Sequence, residues 1–305
     1  MEVTPGRKSL EGTVAVIAAT LLWGSTGVFV KMTKMPGPAI TFWRVFFGAA
    51  ILSLATLAQR QKVRNGPILA CLGTGIIFGL SIVLYFTALR LTSIANVTLI
   101  GALAPVAVAL VSRRTVGEKV PGKAVIAVVV ATGGVSLAIL SSRGLPERNG
   151  LGDLAALTSL VLFVAYFLLS KQLRQKTPNT RYNLLMTLGA AIPVTVVAAV
   201  SGAPVLGYTG RDYLMVALVA IFPGSLGHWL VNWAHTRITA GTSATIQLGV
   251  PVVAIAAGWV FVGEKIQFLG VVGSAIALAA IFAVIRIETC QAGAERRFEE
   301  SEAIA

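Results

Sequence analysis

The 305-residue sequence predicts an all-α integral membrane protein of ten transmembrane helices, arranged as two five-helix repeats of inverted topology. Three observations carry that prediction. The chain is 56% hydrophobic and only 12% charged, whereas a soluble domain averages roughly 25% charged residues. Apolar runs of bilayer-spanning length recur from residue 12 to residue 286. Finally, the stretch Ala88–Lys119 recurs without a gap at Ala234–Lys265, displaced by 146 residues. Each copy carries a proline inside an apolar run, Pro105 or Pro251, twelve residues before a Gly-Glu-Lys at Gly117-Glu118-Lys119 or Gly263-Glu264-Lys265.

The spans follow in order. Gly12–Val30, preceded by Arg7 and Lys8, reads as a first spanning helix rather than a cleaved signal, because it is long and no clear cleavage site follows. The Met35-Pro36-Gly37-Pro38 cluster precedes a second span, 38–58. The polar stretch Arg60–Gly66 separates that span from 67–90, and 93–112 follows. Arg113–Gly122 leads into 122–140, Ser141–Gly150 into 151–170, and Lys171–Pro178 into 183–201. The remaining spans are 212–234, 240–262 and 267–286. Helices are expected throughout because an open-ended segment in lipid must satisfy its own backbone hydrogen bonds. The mixed-charge tail after residue 287 is expected to be partly disordered.

Charge sets the direction. The net charge of +13 suggests a nucleic-acid partner, but the basic residues fall in short gaps between apolar runs, and this excludes that class. With the N-terminus cytoplasmic, 17 Lys and Arg lie in inside segments and 7 in outside segments, with Arg44 within a span. Both termini are therefore expected inside. Five spans per half is an odd number, so the second half enters from the opposite face and the two Gly-Glu-Lys motifs face opposite sides. A weaker echo relates Gly12, Trp23 and Lys31 to Gly152, Phe163 and Lys171. The expected divisions are 1–11 as a cytoplasmic N-terminus, 12–140 and 151–286 as the repeats, and 287–305 as a cytoplasmic tail. Cys71 and Cys290 read as membrane thiols rather than a disulfide.

Leu22-Trp23-Gly24-Ser25, the Pro38…Arg44 opening of the second span and the paired Pro…Gly-Glu-Lys motifs resemble the drug/metabolite transporter superfamily. Within it the chain is similar to the ten-helix EamA-type permeases over residues 12–286. The resemblance implies a basket-like bundle around a central cavity lined by spans 1, 3, 4, 6, 8 and 9. It also implies export of amino acids or other metabolites, with the bacterial aromatic amino-acid exporter type as a relative.

Candidate residues follow from these expectations. Pro105 and Pro251 fall near mid-membrane, where a missing backbone donor bends a helix, and are expected to act as hinges. Glu118 and Glu264 are expected to be structural, at helix ends near a positive dipole end. No carboxylate falls in a span centre, which argues against a carboxylate proton relay and favours facilitated diffusion or exchange. His228, with Asn232 on the same helix face, could bind a substrate carboxylate or make an interhelical hydrogen bond. Trp23, Ser25, Phe78, Ser81 and Tyr85 add aromatic and polar surface on the first and third spans. Asn96, Thr98, Phe163, Tyr166, Thr245 and Gln247 add the same on the fourth, sixth and ninth. Arg44 is expected to anchor a peripheral helix at the outer face.

The leading reading is an alternating-access exporter of small metabolites, with aromatic or other neutral amino acids as the expected substrates. It would lie in a bacterial inner membrane, act as a monomer and need no metal or cofactor. An enzyme lacks converging catalytic groups; a channel, a sensory membrane protein or an exporter of another metabolite or drug stands as the alternative.

Overall fold

The computed structural model describes residues 5–60, 67–92, 94–118, 122–143, 149–263 and 267–304. The regular elements among them are all helices. Nine are long and apolar enough to cross a membrane, and a shorter apolar helix, Leu99–Ser112, supplies the fourth crossing. The first span is α1 (Pro5–Gly24) followed by α2 (Thr26–Lys31), and the second is α3 (Gly37–Ala58). The third is α4 (Ile68–Leu91), the fourth α5 (Ile94–Gly101) with α6 (Ala104–Thr115), and the fifth α7 (Gly122–Arg143). The sixth and seventh are α8 (Gly150–Arg174) and α9 (Asn179–Val200). The eighth joins α10 (Gly210–Val219), a π-helical turn over Ala220–Gly227 and α11 (His228–Ala234). The ninth is α12 (Ala240–Gln247) with α13 (Gly249–Val262), and the tenth is α14 (Phe268–Ile304). Ten crossings place both termini at one end of the bundle, termed the terminal end.

Four spans expected as continuous helices are interrupted, and all four border the cavity described below. In the first, Ser25 returns its hydroxyl to the Leu22 carbonyl at 2.8 Å, a back-bond that bends helices. In the fourth, Ala102 and Leu103 leave the α-helix and Pro105 lies in the first turn of the next segment, where its missing N–H would have had no intrahelical partner. The ninth breaks at Leu248, the position equivalent to Ala102, and Pro251 again lies in the first turn beyond it. The prolines therefore open new half-helices rather than bending continuous ones. The tail also differs from expectation: α14 continues unbroken to Ile304, as suits a stretch rich in Glu and Ala.

Packing repeats with the sequence. The third span lies against the sixth and seventh, and its counterpart, the eighth, lies against the first and second. Gly12 abuts the end of the eighth span so closely that a Cβ there would stand 2.8 Å from Ile238 Cγ2. Its counterpart Gly152 abuts the end of the third span, 2.8 Å from Thr92 Cβ by the same measure. Thr92 and Ile238 are themselves 146 residues apart, so the weak echo between first and sixth spans marks equivalent contacts at opposite ends of the bundle. The fifth and tenth spans pack through Gly134-x-x-x-Ala138 against Gly273-x-x-x-Ala277, a small-residue seam that lets backbones approach.

Candidate functional site

A cavity of about 430 Å³ lies between the halves, in the part of the bundle away from the terminal end. It draws walls from the first, second, third, fourth, sixth, eighth and ninth spans. Its floor is an aromatic and histidine cluster. Trp23 and His228 ring centres are 4.9 Å apart, and Phe78 meets His228 edge-on at 4.8 Å and Tyr166 at 4.4 Å.

The π turn explains how this cluster fits. A wider turn, with Pro223 inside it, leaves carbonyls without the usual α-helical donor. The Pro223 carbonyl accepts the Trp23 indole N–H at 2.7 Å. Gly227 is required because a Cβ there would stand 2.6 Å from Trp23 Nε1. On the other side, a Cβ at Gly224 would stand 3.3 Å from Arg44 Nε. Small residues in Pro-Gly-Ser-Leu-Gly-His thus admit an indole and a guanidinium on either side of the eighth span.

Arg44 and His228 form the polar centre. The Arg44 Nη2 to His228 Nε2 distance is 3.3 Å, and the Tyr166 hydroxyl lies 3.3 Å from His228 Nδ1. A guanidinium has only donors, so His228 Nε2 accepts from Arg44 and Nδ1–H donates to Tyr166; this tautomer is assigned from the network. The expectation that Arg44 anchors a peripheral helix is corrected. The second span contributes to the cavity wall, and its arginine points inward to His228 rather than to the membrane surface. The expectation failed because the second span was taken as peripheral throughout, whereas one face of α3 lies along the π turn.

Trp23, Phe78, Ser81, Tyr85, Phe163, His228 and Gln247 line the cavity, as do Pro105 and Pro251. Ser81 is committed to structure: its hydroxyl donates to the Ser159 carbonyl at 2.9 Å, and Ser159 returns the bond at 2.8 Å, clamping the third span to the sixth. Tyr166 stands behind the wall, supporting His228. Ser25, Asn232 and Thr245 do not line the cavity. Ser25 serves the break in the first span, Asn232 donates to Asn183 Oδ1 at 2.9 Å, and Thr245 donates to the Gly241 carbonyl at 2.8 Å. The side chains of Asn96 and Thr98 lie outside the described residues, as do Lys119, Glu264 and Lys265. Beyond Arg44, sequence reasoning missed Thr26, Phe86 and Ser159. Small or apolar residues on helices carry no signal that tells a cavity wall from a helix seam.

The terminal end is closed. Lys171, buried on α8, pairs with Glu118 Oε1 at 2.6 Å and donates to the carbonyls of Ile238 and His235 at 2.5 and 3.1 Å. Glu118 Oε2 accepts the Ala240 N–H at 2.7 Å, at the N-terminus of α12. The glutamate thus meets a positive helix end, as its type suggests, but a helix of the other half rather than the one that follows it. Gln172 adds a bond to the Thr115 carbonyl at 2.5 Å. His235 sits beneath, edge-on to Phe167 at 4.7 Å. Burial, together with Lys171 and Arg174 nearby, holds its imidazole well below the ordinary histidine pKa.

Known proteins match this architecture. The model of the EamA-like transporter family matches twice, over residues 10–140 and 150–286. The chain belongs to the EamA-like transporter family. It is a multi-pass membrane transporter for a small molecule. An uncharacterized transporter of Archaeoglobus fulgidus is 25% identical over 273 residues, covering 88% of this chain and 94% of that protein. The uncharacterized transporter YyaM of Bacillus subtilis is 27% identical over 266 residues, covering 80% and 84%. A probable terminal-alkyne amino-acid exporter of Streptantibioticus cattleyicolor is 34% identical over 76 residues, only 24% of this chain and 26% of its own. A crystal structure at 22% identity superposes with a TM-score of 0.78 over 94% of this chain and 98% of its own, a likeness of fold.

Proposed function

We propose that this EamA-like transporter exports small amphiphilic metabolites, amino acids with aromatic or other apolar side chains foremost, by alternating access. The observation that carries the reading is the cavity of about 430 Å³ between the halves, walled by rings, neutral polar groups and Arg44 and shut at the terminal end by the Glu118–Lys171 contact. A volume of about 430 Å³ suits a small molecule of amino-acid size. The partial likeness to a probable amino-acid exporter points the same way. In this reading the termini are cytoplasmic in a bacterial inner membrane, in line with the 17 to 7 bias of basic residues, and the monomer is the working unit. The cavity then faces outward, and rocking of the halves about the breaks at Ser25, Ala102–Leu103 and Leu248 would open the other side.

Facilitated diffusion or exchange fits better than carboxylate-driven proton coupling. None of the described carboxylates lines the cavity. The test is flux of a panel of radiolabelled amino acids into proteoliposomes holding the purified full chain, with and without an imposed pH gradient. Saturable entry of at least one apolar amino acid, without accumulation above equilibrium on imposing the gradient, is expected. No flux of any amino acid would remove the substrate assignment, and strong proton-driven accumulation would remove the facilitative one.

A further inference from the structure

We infer that Arg44 binds a carboxylate on the transported molecule, with His228 as the residue that positions the guanidinium. The inference rests on the cavity being the transport site, and it names the chemical group that the site selects.

Among the described residues that line the cavity, Arg44 is the one with a permanent charge. A guanidinium at membrane depth is retained only when it is paired or lines a polar space. Yet the described carboxylates are engaged elsewhere. Glu11 lies beside Arg7 and Arg237, and Glu118 holds Lys171 and the α12 N-terminus. Asp153 accepts from Thr92, and Asp212 accepts from Thr33, Thr209 and the Lys34 backbone. None of them lines the cavity. The hydrogen bond Arg44 makes with a described side chain is to His228, which takes one of its five N–H groups and brings no negative charge.

Position argues the same way. The Tyr166–His228–Arg44 chain runs from buried wall to cavity, so the imidazole fixes the arginine without neutralising it. Gly224 leaves the space in which the guanidinium lies. Trp23, Phe78 and Phe163 supply apolar surface beside it. A planar fork of N–H donors matches a carboxylate bidentately, which neither an amine nor a carboxamide satisfies as well. The site therefore selects molecules with an apolar body and a carboxylate, and discriminates against the corresponding amides and amines.

Matched pairs test this without relying on any variant. Intrinsic tryptophan fluorescence of the purified full chain, with Trp23 at the site, would be titrated with L-phenylalanine and L-phenylalaninamide, and with phenylacetate and phenylacetamide. The carboxylate member of at least one pair should bind about ten-fold or more tighter, the scale of a hydrogen bond to a charged group. Arg44→Gln should abolish the difference and Arg44→Lys should restore part of it, each at an unchanged ligand-free melting temperature. Equal binding within both pairs, no response to either carboxylate, or discrimination retained by Arg44→Gln each overturns the inference. If phenylacetate is preferred over phenylacetamide while no amino acid is transported, the carboxylate subsite stands and the amino-acid reading falls. If amino acids are transported but phenylalanine and its amide compete equally, the reverse holds.

Discussion

Trp23 shows how one side chain ties sequence to site. Its ring faces His228 and its N–H reaches the Pro223 carbonyl within the π turn. Trp23→Phe keeps most of the ring but removes the donor, and should lower stability by about 1 kcal/mol, read as a lower melting temperature together with weaker ligand quenching. His235 makes a second prediction. Its pKa is held down while buried, so the neutral imidazole is favoured at the closed terminal end. Its pKa is depressed there from the ordinary value of 6.5, so the closed state loses relative stability as pH falls below about 6.5. Terminal-end opening should rise between pH 7 and pH 5, read as lower protection factors for the amides of residues 235–240 after correction for the pH dependence of intrinsic exchange, and His235→Gln should flatten that rise. At this scale the sequence was partly legible. His228 could be picked out because a titratable group inside a span is costly unless it faces protein or a polar space, whereas Trp23 and Phe78 carried only an aromatic type that Phe46, Trp259 and Phe282 share at exposed positions. Thr245 and Asn232 misled because a polar residue that bonds within the protein looks the same in sequence as one that faces a ligand.

The helices themselves were legible because bilayer thickness sets their length and composition, and this placed every crossing. The interruptions were not, since Ser25, Ala102 and Leu248 are ordinary helix residues. Prolines at 105 and 251 gave the only hint, and they lie beyond the breaks. The π turn was hidden for the same reason: it is one residue wider per turn and changes no hydropathy pattern. Close helix seams make their own prediction. At the seam of α7 and α14, a Cβ on Gly134 would stand 2.7 Å from the Ala277 backbone nitrogen. Gly134→Leu should therefore separate the pair and cost about 1–3 kcal/mol, seen as a lower melting temperature. Substitution at Gly133, which meets nothing within 4 Å, should leave it nearly unchanged.

For the whole molecule, duplication makes equivalent residues do equivalent work at opposite ends, as Gly12 and Gly152 do. The Glu118–Lys171 contact joins the two halves across the terminal end, and its carboxylate also caps α12. Removing one partner of a largely buried pair leaves the other uncompensated, a cost of about 3 kcal/mol. Glu118→Ala should accordingly shift the population toward a cavity open at the terminal end, measured as faster labelling of a cysteine placed at Gln247 by a reagent confined to that side. The most direct test of the account is exchange by the purified chain in proteoliposomes. Uptake of a labelled substrate identified by the amino-acid panel should saturate, and should be faster into vesicles preloaded with the same unlabelled compound than into empty ones, because one site must return loaded or empty. Uptake that rises linearly with concentration and ignores the preload would contradict alternating access and describe a channel.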